Sequence, residues 1–357
     1  MTIKNNLINT ETFKDLKITI LSGGTGTPKL IQGFNNIEEL DKKNMSVIVN
    51  TGEDNWIGDI YLSPDVDTVL YTLSGLINEE TWYGVKNDTF ECHEQLKKYG
   101  FDEVLKIGDK DRALKTHKSN LIKKGVKLSD IIDKERKGLG ICTKIYPMSN
   151  DKVETKILIV DEERDNESNL GDTEKHLLIK FHDFWINRRG NSKVVDVFYE
   201  NSNYAEAVEG AIEDIKNSDI IVIGPSNPIT SINPILSIPE IRKCLKNKVV
   251  YAISPIIGNN PVSGPAGTLM QAKGYEVSSK SVYEMYKDIL DVFIIDNTDS
   301  NYNKCNMDNI DDINNINNDN GNSKPKILKC NTIMKNIDDK KELAKEILNH
   351  YVKNFKE

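Results

Sequence analysis

Lys17-Ile18-Thr19-Ile20-Leu21-Ser22-Gly23-Gly24-Thr25-Gly26-Thr27-Pro28 decides the fold. The first five residues are a short aliphatic and β-branched run, the pattern of a buried strand. Three glycines within four residues end it in a tight turn. Leu30, Ile31 and Phe34 follow at helical spacing. Thr27 is the expected N-cap and Pro28 the expected first helical residue. The order is strand, glycine turn, helix. Glycines let the backbone approach an anion closely, and a helix N-terminus offers free N–H groups and partial positive charge. Gly23, Gly24, Thr25, Gly26 and Thr27 are therefore candidate phosphate-binding residues. The stretch lacks the Lys-Ser/Thr ending of a P-loop and does not match G-x-G-x-x-G. A tight turn without a ligand is the plain alternative.

The same alternation continues outward. Ser46-Val47-Ile48-Val49-Asn50 reads as a strand entering the polar loop Thr51-Gly52-Glu53-Asp54-Asn55. Ser63-Pro64 opens a helix with Val66, Val69, Leu70 and Leu73 on one face. Much later, Asp219-Ile220-Ile221-Val222-Ile223 breaks at Gly224-Pro225-Ser226-Asn227-Pro228, and a strand at 249–253 breaks at Ser254-Pro255. The run 292–295 reads as the last core strand. An amphipathic helix closes the chain at 338–355, with Leu343, Ile347 and Tyr351 spaced by four. Strands alternating with helices predict an α/β fold: a Rossmann-like, doubly wound, mostly parallel sheet.

Between these halves the pattern changes. Helical periodicity marks 92–99, 111–124 and 129–137. Two β-rich runs, 156–160 and 177–181, then flank a charged connector at 161–176 that reads as a hairpin loop. The span 77–204 is expected to be a smaller inserted α+β subdomain. The core would be 17–76 and 205–357. Residues 1–16 read as a mobile extension. Residues 299–323 are dominated by Asn and Asp, and read as a disordered insertion.

The 357 residues are 38% hydrophobic and carry a net charge of -8, so a global basic field is absent and no nucleic-acid partner is expected. The five cysteines are widely spaced without a CxxC pair, which argues against a disulfide framework or zinc site and fits a cytoplasmic location. No apolar run of membrane-spanning length occurs, and no membrane association is expected.

Several other segments hold chemistry-bearing residues. The loop Gly224-Pro225-Ser226-Asn227 follows a strand, where ligands of open α/β sheets gather. Ser63-Pro64-Asp65-Val66-Asp67 puts two carboxylates in a first helical turn. Their ordinary role is to complement the helix dipole, and their functional role would be metal ligand or general base. Lys106-Ile107-Gly108-Asp109-Lys110-Asp111-Arg112 interleaves cations and acids, as a solvated loop does and as a metal-bridged diphosphate site also could. His93, His117 and His182 show no metal spacing, and the metal ligands stay unknown.

Six ordered stretches carry a family resemblance. They are LSGGTGTPKL (21–30), SPDVDTVLYTL (63–73), WYGVKNDTF (82–90), LKIGDKDRA (105–113), IGPSNPITSI (223–232) and SPIIGNNPVSGPAG (254–267). Together they resemble the 2-phospho-L-lactate transferases of deazaflavin coenzyme F-420 biosynthesis. The resemblance implies transfer of a phospholactyl group from lactyl-2-diphospho-5′-guanosine to the ribityl hydroxyl of 7,8-didemethyl-8-hydroxy-5-deazariboflavin. GMP leaves, and Mg²⁺ is required. It implies a homodimer, Asp67 and Lys106 as deazaflavin contacts with Asp67 as the catalytic residue, and Asp65 as a candidate metal ligand. The donor nucleotide would lie on Gly23, Gly24, Thr25, Gly26 and Thr27, and on Gly224, Pro225, Ser226 and Asn227. Three positions depart from the family's pattern: Lys110 stands for an arginine, Lys115 for a histidine and Thr268 for a lysine. Lysine keeps the charge but loses the bidentate fork. Lactyl and enolpyruvyl donors are not distinguished by any residue. A non-catalytic nucleotide-sugar-binding regulator sharing the glycine turn is the alternative, and a Rossmann oxidoreductase a weaker one.

Overall fold

The computed structural model describes residues 13–101, 103, 105–161, 175–300 and 325–356. Seven strands form its central sheet: β1 (Ile18–Ser22), β2 (Met45–Val49), β3 (Lys144–Pro147), β4 (Ile220–Ile223), β5 (Val249–Ile253), β6 (Val292–Asp296) and β7 (Lys326–Cys330). Their order is β7-β6-β5-β4-β1-β2-β3, and every neighbouring pair is parallel. The chain builds outward from β1 to β3, returns to the other side of β1 at β4, and continues to β7. The topological switch point therefore lies between β1 and β4, as in doubly wound folds.

β1 and β2 are buried along their whole length, as strands covered on both faces must be. Alternate residues feed two cores. Ile18, Ile20, Val47, Val222 and Ile294 pack toward α1 (Gly26–Asn35), α2 (Pro64–Leu73) and the closing helix Ile337–Asn354. Leu21, Ile48, Ile223 and Phe293 pack toward the helices Glu209–Asn217, Pro239–Leu245, Ala266–Ala272 and Ser279–Tyr286.

The expected α/β architecture is present, with corrections at its margins. The span 77–204 is not one separate body, because β3 pairs with β2 and forms the edge of the central sheet. α3 (Asp109–Lys123) and α4 (Leu128–Gly138) lead into that strand. The rest of the span does form its own small sheet. Glu154–Val160 lies between His176–Lys180 and Val194–Glu200, all antiparallel. β6 is not the last core strand, since β7 pairs beyond it. Phe13 and Leu16, expected in a mobile extension, are buried in the core. Residues 1–12, most of the 161–176 connector and 301–324 lie outside the described residues.

The closing helix fixes α1, and hence the turn that precedes it. Asn336 and Asp339 form a reciprocal capping box at its start. Its backbone then runs so close to α1 that a Cβ on Gly33 would sit 2.1 Å from the Lys340 carbonyl oxygen. In an isolated helix Gly33→Ala would be favourable by about 1 kcal/mol. Here overpacking reverses the sign, and the substitution is expected to destabilise the fold by about 1–3 kcal/mol in urea titration. A variant as stable as the wild type would refute this helix contact.

Candidate functional site

The carboxyl ends of β1 and β4 bring the two expected ligand loops into contact. The Ser226 hydroxyl lies 2.7 Å from the Thr27 hydroxyl and accepts from the Thr27 N–H at 3.0 Å. It also donates to the Gly23 carbonyl. The backbones are so close that a Cβ on Gly26 would be 2.0 Å from the Pro225 carbonyl oxygen. That contact explains the glycine without a ligand. It also corrects the helix start: α1 begins at Gly26, and Thr27 turns its hydroxyl to Ser226 instead of capping. The anion-binding capacity rests on the N–H groups. Gly24 donates to Asp65 and Thr27 to Ser226. Among the described contacts, no protein acceptor takes the N–H of Thr25 or Gly26. Orphan N–H groups at a helix N-terminus suit an anion. Asn227 instead caps its own loop, accepting from Ile229 at 2.9 Å.

Asp65 and Asp67, two residues apart on α2, have opposite surroundings. Asp65 accepts from the Gly24 N–H at 2.8 Å and from Asn50 Nδ2 at 2.9 Å. Burial still raises its carboxyl to about 6, against the lowering effect of those bonds. Nearby, the Ser63 hydroxyl donates to Asp54 at 2.8 Å instead of capping α2. The other Asp54 oxygen, Oδ1, is buried with no donor in hydrogen-bond geometry, the Tyr61 hydroxyl being the carboxyl's near neighbour. Burial pushes Asp54 well above the usual carboxylate range, with Asp67 and Asp65 adding to the rise. Burial, then the charges of Asp65 and Asp54, do the same to Glu53. These three acids share the region beyond β2.

Asp67 lies in a buried ion-pair network. Lys115 reaches one oxygen at 2.8 Å and Lys118 bonds the other. Lys115 also pairs with Asp111, which accepts from the Tyr71 hydroxyl at 2.6 Å. Burial alone would raise the Asp67 carboxyl, but the two lysine charges more than offset it and hold it low. Asp67 is only 3% exposed, and each of its oxygens is bonded by a lysine. Lys106 is not brought to it. That side chain is half-exposed, stacked over Phe90 at 4.5 Å and paired with Glu94 at 3.4 Å.

The interleaved charges at 106–112 are engaged locally. Asp109 accepts from Glu91 and Cys92 N–H and from Thr89, and Arg112 pairs with Glu103 at 2.6 Å. Lys110 donates to the Asn87 carbonyl, and Thr268 is exposed on its helix. Beside this segment, an apolar cleft of about 610 Å³ opens between Tyr71, Leu76, Val85, Leu114, His117 and Leu139. A smaller polar recess of about 190 Å³ lies at the opposite, amino end of the sheet, near Lys17 and Lys43.

Sequence reasoning missed Glu53 and Asp54 as site residues. Their signal was an acid pair in the loop that leaves a β-branched strand, separated from its end by three residues. What hid it was the strand order, which places that loop one strand from the switch point.

No group of three or more His, Cys, Asp or Glu side chains among the described residues forms a ready metal cage. Mg²⁺ commonly takes one or two carboxylates and completes its shell with water and substrate phosphate. The unpartnered Asp54 Oδ1 beside Glu53 fits that mode.

A doubly wound α/β protein with a turn of orphan N–H groups at its switch point and an acid loop one strand away is the class this architecture defines. The model of the 2-phospho-L-lactate transferase CofD family matches residues 18–337, and the chain belongs to that family. It is 61% identical to the 2-phospho-L-lactate transferase of Methanococcus maripaludis strain S2, over 94% of this chain and 99% of that one. Identity is 57% to the enzyme of that name from Methanocaldococcus jannaschii, covering 93% and 97%. A Methanopyrus kandleri protein of the same name is 43% identical, covering 94% and 97%. Among solved structures, a UPF0052-family protein of Bacillus halodurans superposes with a TM-score of 0.57 at 16% identity, over 93% of this chain and 99% of that one. That likeness concerns the fold alone.

Two outcomes follow from the carboxylate environments. Asp67→Asn leaves two buried lysines undercompensated, and is expected to cost about 3–5 kcal/mol in urea titration. A variant unfolding at the wild-type midpoint would contradict the network. Asp65 titrates higher folded than unfolded, so between pH 4 and 6 the native state holds more protons. Stability therefore falls as pH rises through that window. Asp65→Asn should flatten this slope, and an unchanged slope would remove Asp65 as its source.

Proposed function

We propose that the protein transfers a 2-phospholactyl group from lactyl-2-diphospho-5′-guanosine to the ribityl hydroxyl of 7,8-didemethyl-8-hydroxy-5-deazariboflavin, releasing GMP. The observation that carries the reading is an anion-receiving turn joined through Asp65 to a group of high-pKa carboxylates, in a chain of this family.

The donor diphosphate would lie over the orphan N–H groups of Thr25 and Gly26. Asp65 holds Gly24 by its N–H and so keeps the turn in its receiving shape. The acceptor hydroxyl oxygen would form a bond to the phospholactyl phosphorus. The bond from that phosphorus to the bridging oxygen would break, and GMP would leave with its electron pair. The hydroxyl proton needs a base, and Glu53, raised by burial and by the charges of Asp65 and Asp54, suits this. Asp54, through its unpartnered Oδ1, is the residue that would hold Mg²⁺. A bound divalent ion would supply charge neutralisation of the diphosphate, the main requirement of phosphoryl transfer.

The apolar cleft beside Tyr71 and Leu114 suits the flat deazaflavin ring. Asp67 then acts on the acceptor side as a fixed anion anchoring α3 against α2, and Lys106 as a surface contact on the approach to the cleft. A cytoplasmic homodimer completes the reading, on resemblance alone. No helix among the described residues is long and apolar enough to cross a membrane.

The test is a GMP-release assay with purified protein, the deazaflavin, Mg²⁺, and lactyl or enolpyruvyl donor in separate reactions. The lactyl donor is expected to give GMP and a new phosphodiester in equal amounts. GMP no higher than in the metal-free control would overturn the reading.

A further inference from the structure

The small antiparallel sheet is stitched to the switch point. Thr155 donates its N–H to the Gly52 carbonyl at 2.7 Å, and the Tyr199 hydroxyl donates to the Ile229 carbonyl at 2.6 Å. These bonds bring the end of His176–Lys180 against the acid loop. A narrow recess of only about 10 Å³ there is lined by Glu53, Asp54 and Asn55 on one wall and by Thr155, Lys180 and His182 on the other, so a ligand group enters only when Lys180 leaves Asn55. Lys180 Nζ crosses between the walls, donating to Asn55 Oδ1 at 2.8 Å and lying 3.3 Å from Glu154.

Two features of that second wall point to an anion. Lys152 and Lys156 also approach Glu154, each at 3.2 Å, and Lys156 has Glu200 at 3.6 Å, so three ammonium groups face two carboxylates. The Thr155 hydroxyl is buried without a partner among the described contacts. An acidic substrate group would find both a cation and a hydroxyl donor there.

The reaction proposed above requires such a group. The donor carries a carboxylate beyond its diphosphate, whether its acyl part is lactyl or enolpyruvyl. Glu53, Asp54 and Asp65 offer that carboxylate no cation, and each would repel it when ionised. Lys115 and Lys118 are buried on Asp67, and Lys29 is turned over the Trp82 ring at 5.2 Å. Lys180 is a cation already reaching across the acid loop, and with 38% side-chain exposure it can exchange Asn55 for a ligand. We propose that Lys180, assisted by the Thr155 hydroxyl, recognises the carboxylate of the donor and sets the enzyme's preference for an acidic phosphoester. This inference rests on the transferase reading.

Its test is calorimetric titration of two donors without acceptor: the guanosine diphosphate ester of lactate, and that of propan-2-ol, which replaces the carboxylate by methyl. Wild type is expected to bind the lactate ester at least tenfold more tightly. Lys180→Met should abolish that preference by weakening the lactate ester alone, and Lys180→Arg should restore most of it. Loss of affinity for both esters equally would reduce Lys180 to a structural residue and overturn the inference, as would an unchanged preference in Lys180→Met. Wild type that binds neither ester would fail the transferase reading itself, and the inference would fall with it.

Discussion

Everything at the site depends on one close approach. The backbone of Gly26 passes the Pro225 carbonyl at a distance that admits no side chain. Ser226 then locks the approach with bonds to Thr27 and Gly23. The approach is possible because β1 and β4 are adjacent parallel strands that leave the sheet in opposite winding directions. Two loops that are 200 residues apart in the chain thereby become one rigid floor. Its rigidity matters because the N–H groups of Thr25 and Gly26 can serve an anion only if they stay oriented before it arrives.

The carboxylates around that floor divide by environment. Asp67, with two ammonium groups at bonding distance, is held ionised. Asp65 and Asp54, buried with neutral donors, resist ionisation. Two residues along one helix separate the first kind from the second. A neutral acid can donate a hydrogen bond or, on meeting a cation, give up its proton, so this group can respond to a charged ligand. The Asp67 cluster can respond little, because moving either lysine would strand a buried charge.

The strand–turn–helix unit was legible because each signal was local: a β-branched run, three glycines, and apolar spacing at Leu30, Ile31 and Phe34. The second loop was legible for the same reason, Gly224-Pro225 ending Ile220–Ile223. What escaped was non-local. β3 reads as nothing in particular, since Lys144-Ile145-Tyr146-Pro147 is a four-residue edge strand with one exposed end. Its place beside β2 follows only from the sheet order. Two acids in a first helical turn look alike in sequence, and only the family resemblance singles out Asp67. Lys115 and Lys118 are some 50 residues away, and only tertiary contact shows that they neutralise it. Thr27 misread as a cap illustrates the same limit: its hydroxyl had two candidate partners, and the long-range one prevailed.

The inserted sheet completes this logic. A floor made only from β1, β2 and β4 loops would present N–H groups and acids, a combination suited to a diphosphate with a cation. It would offer nothing to hold a second, carbon-borne negative charge. The chain supplies the missing wall from elsewhere, binding Thr155 to Gly52 and Tyr199 to Ile229 so that the wall moves with the floor. Both anchors lie on the loops that follow core strands. Displacement of the small sheet would therefore disturb the acid loop and the Pro225 loop together. A ligand touching both walls would stabilise the union that positions it, which couples recognition of its acidic end to the geometry at its phosphorus.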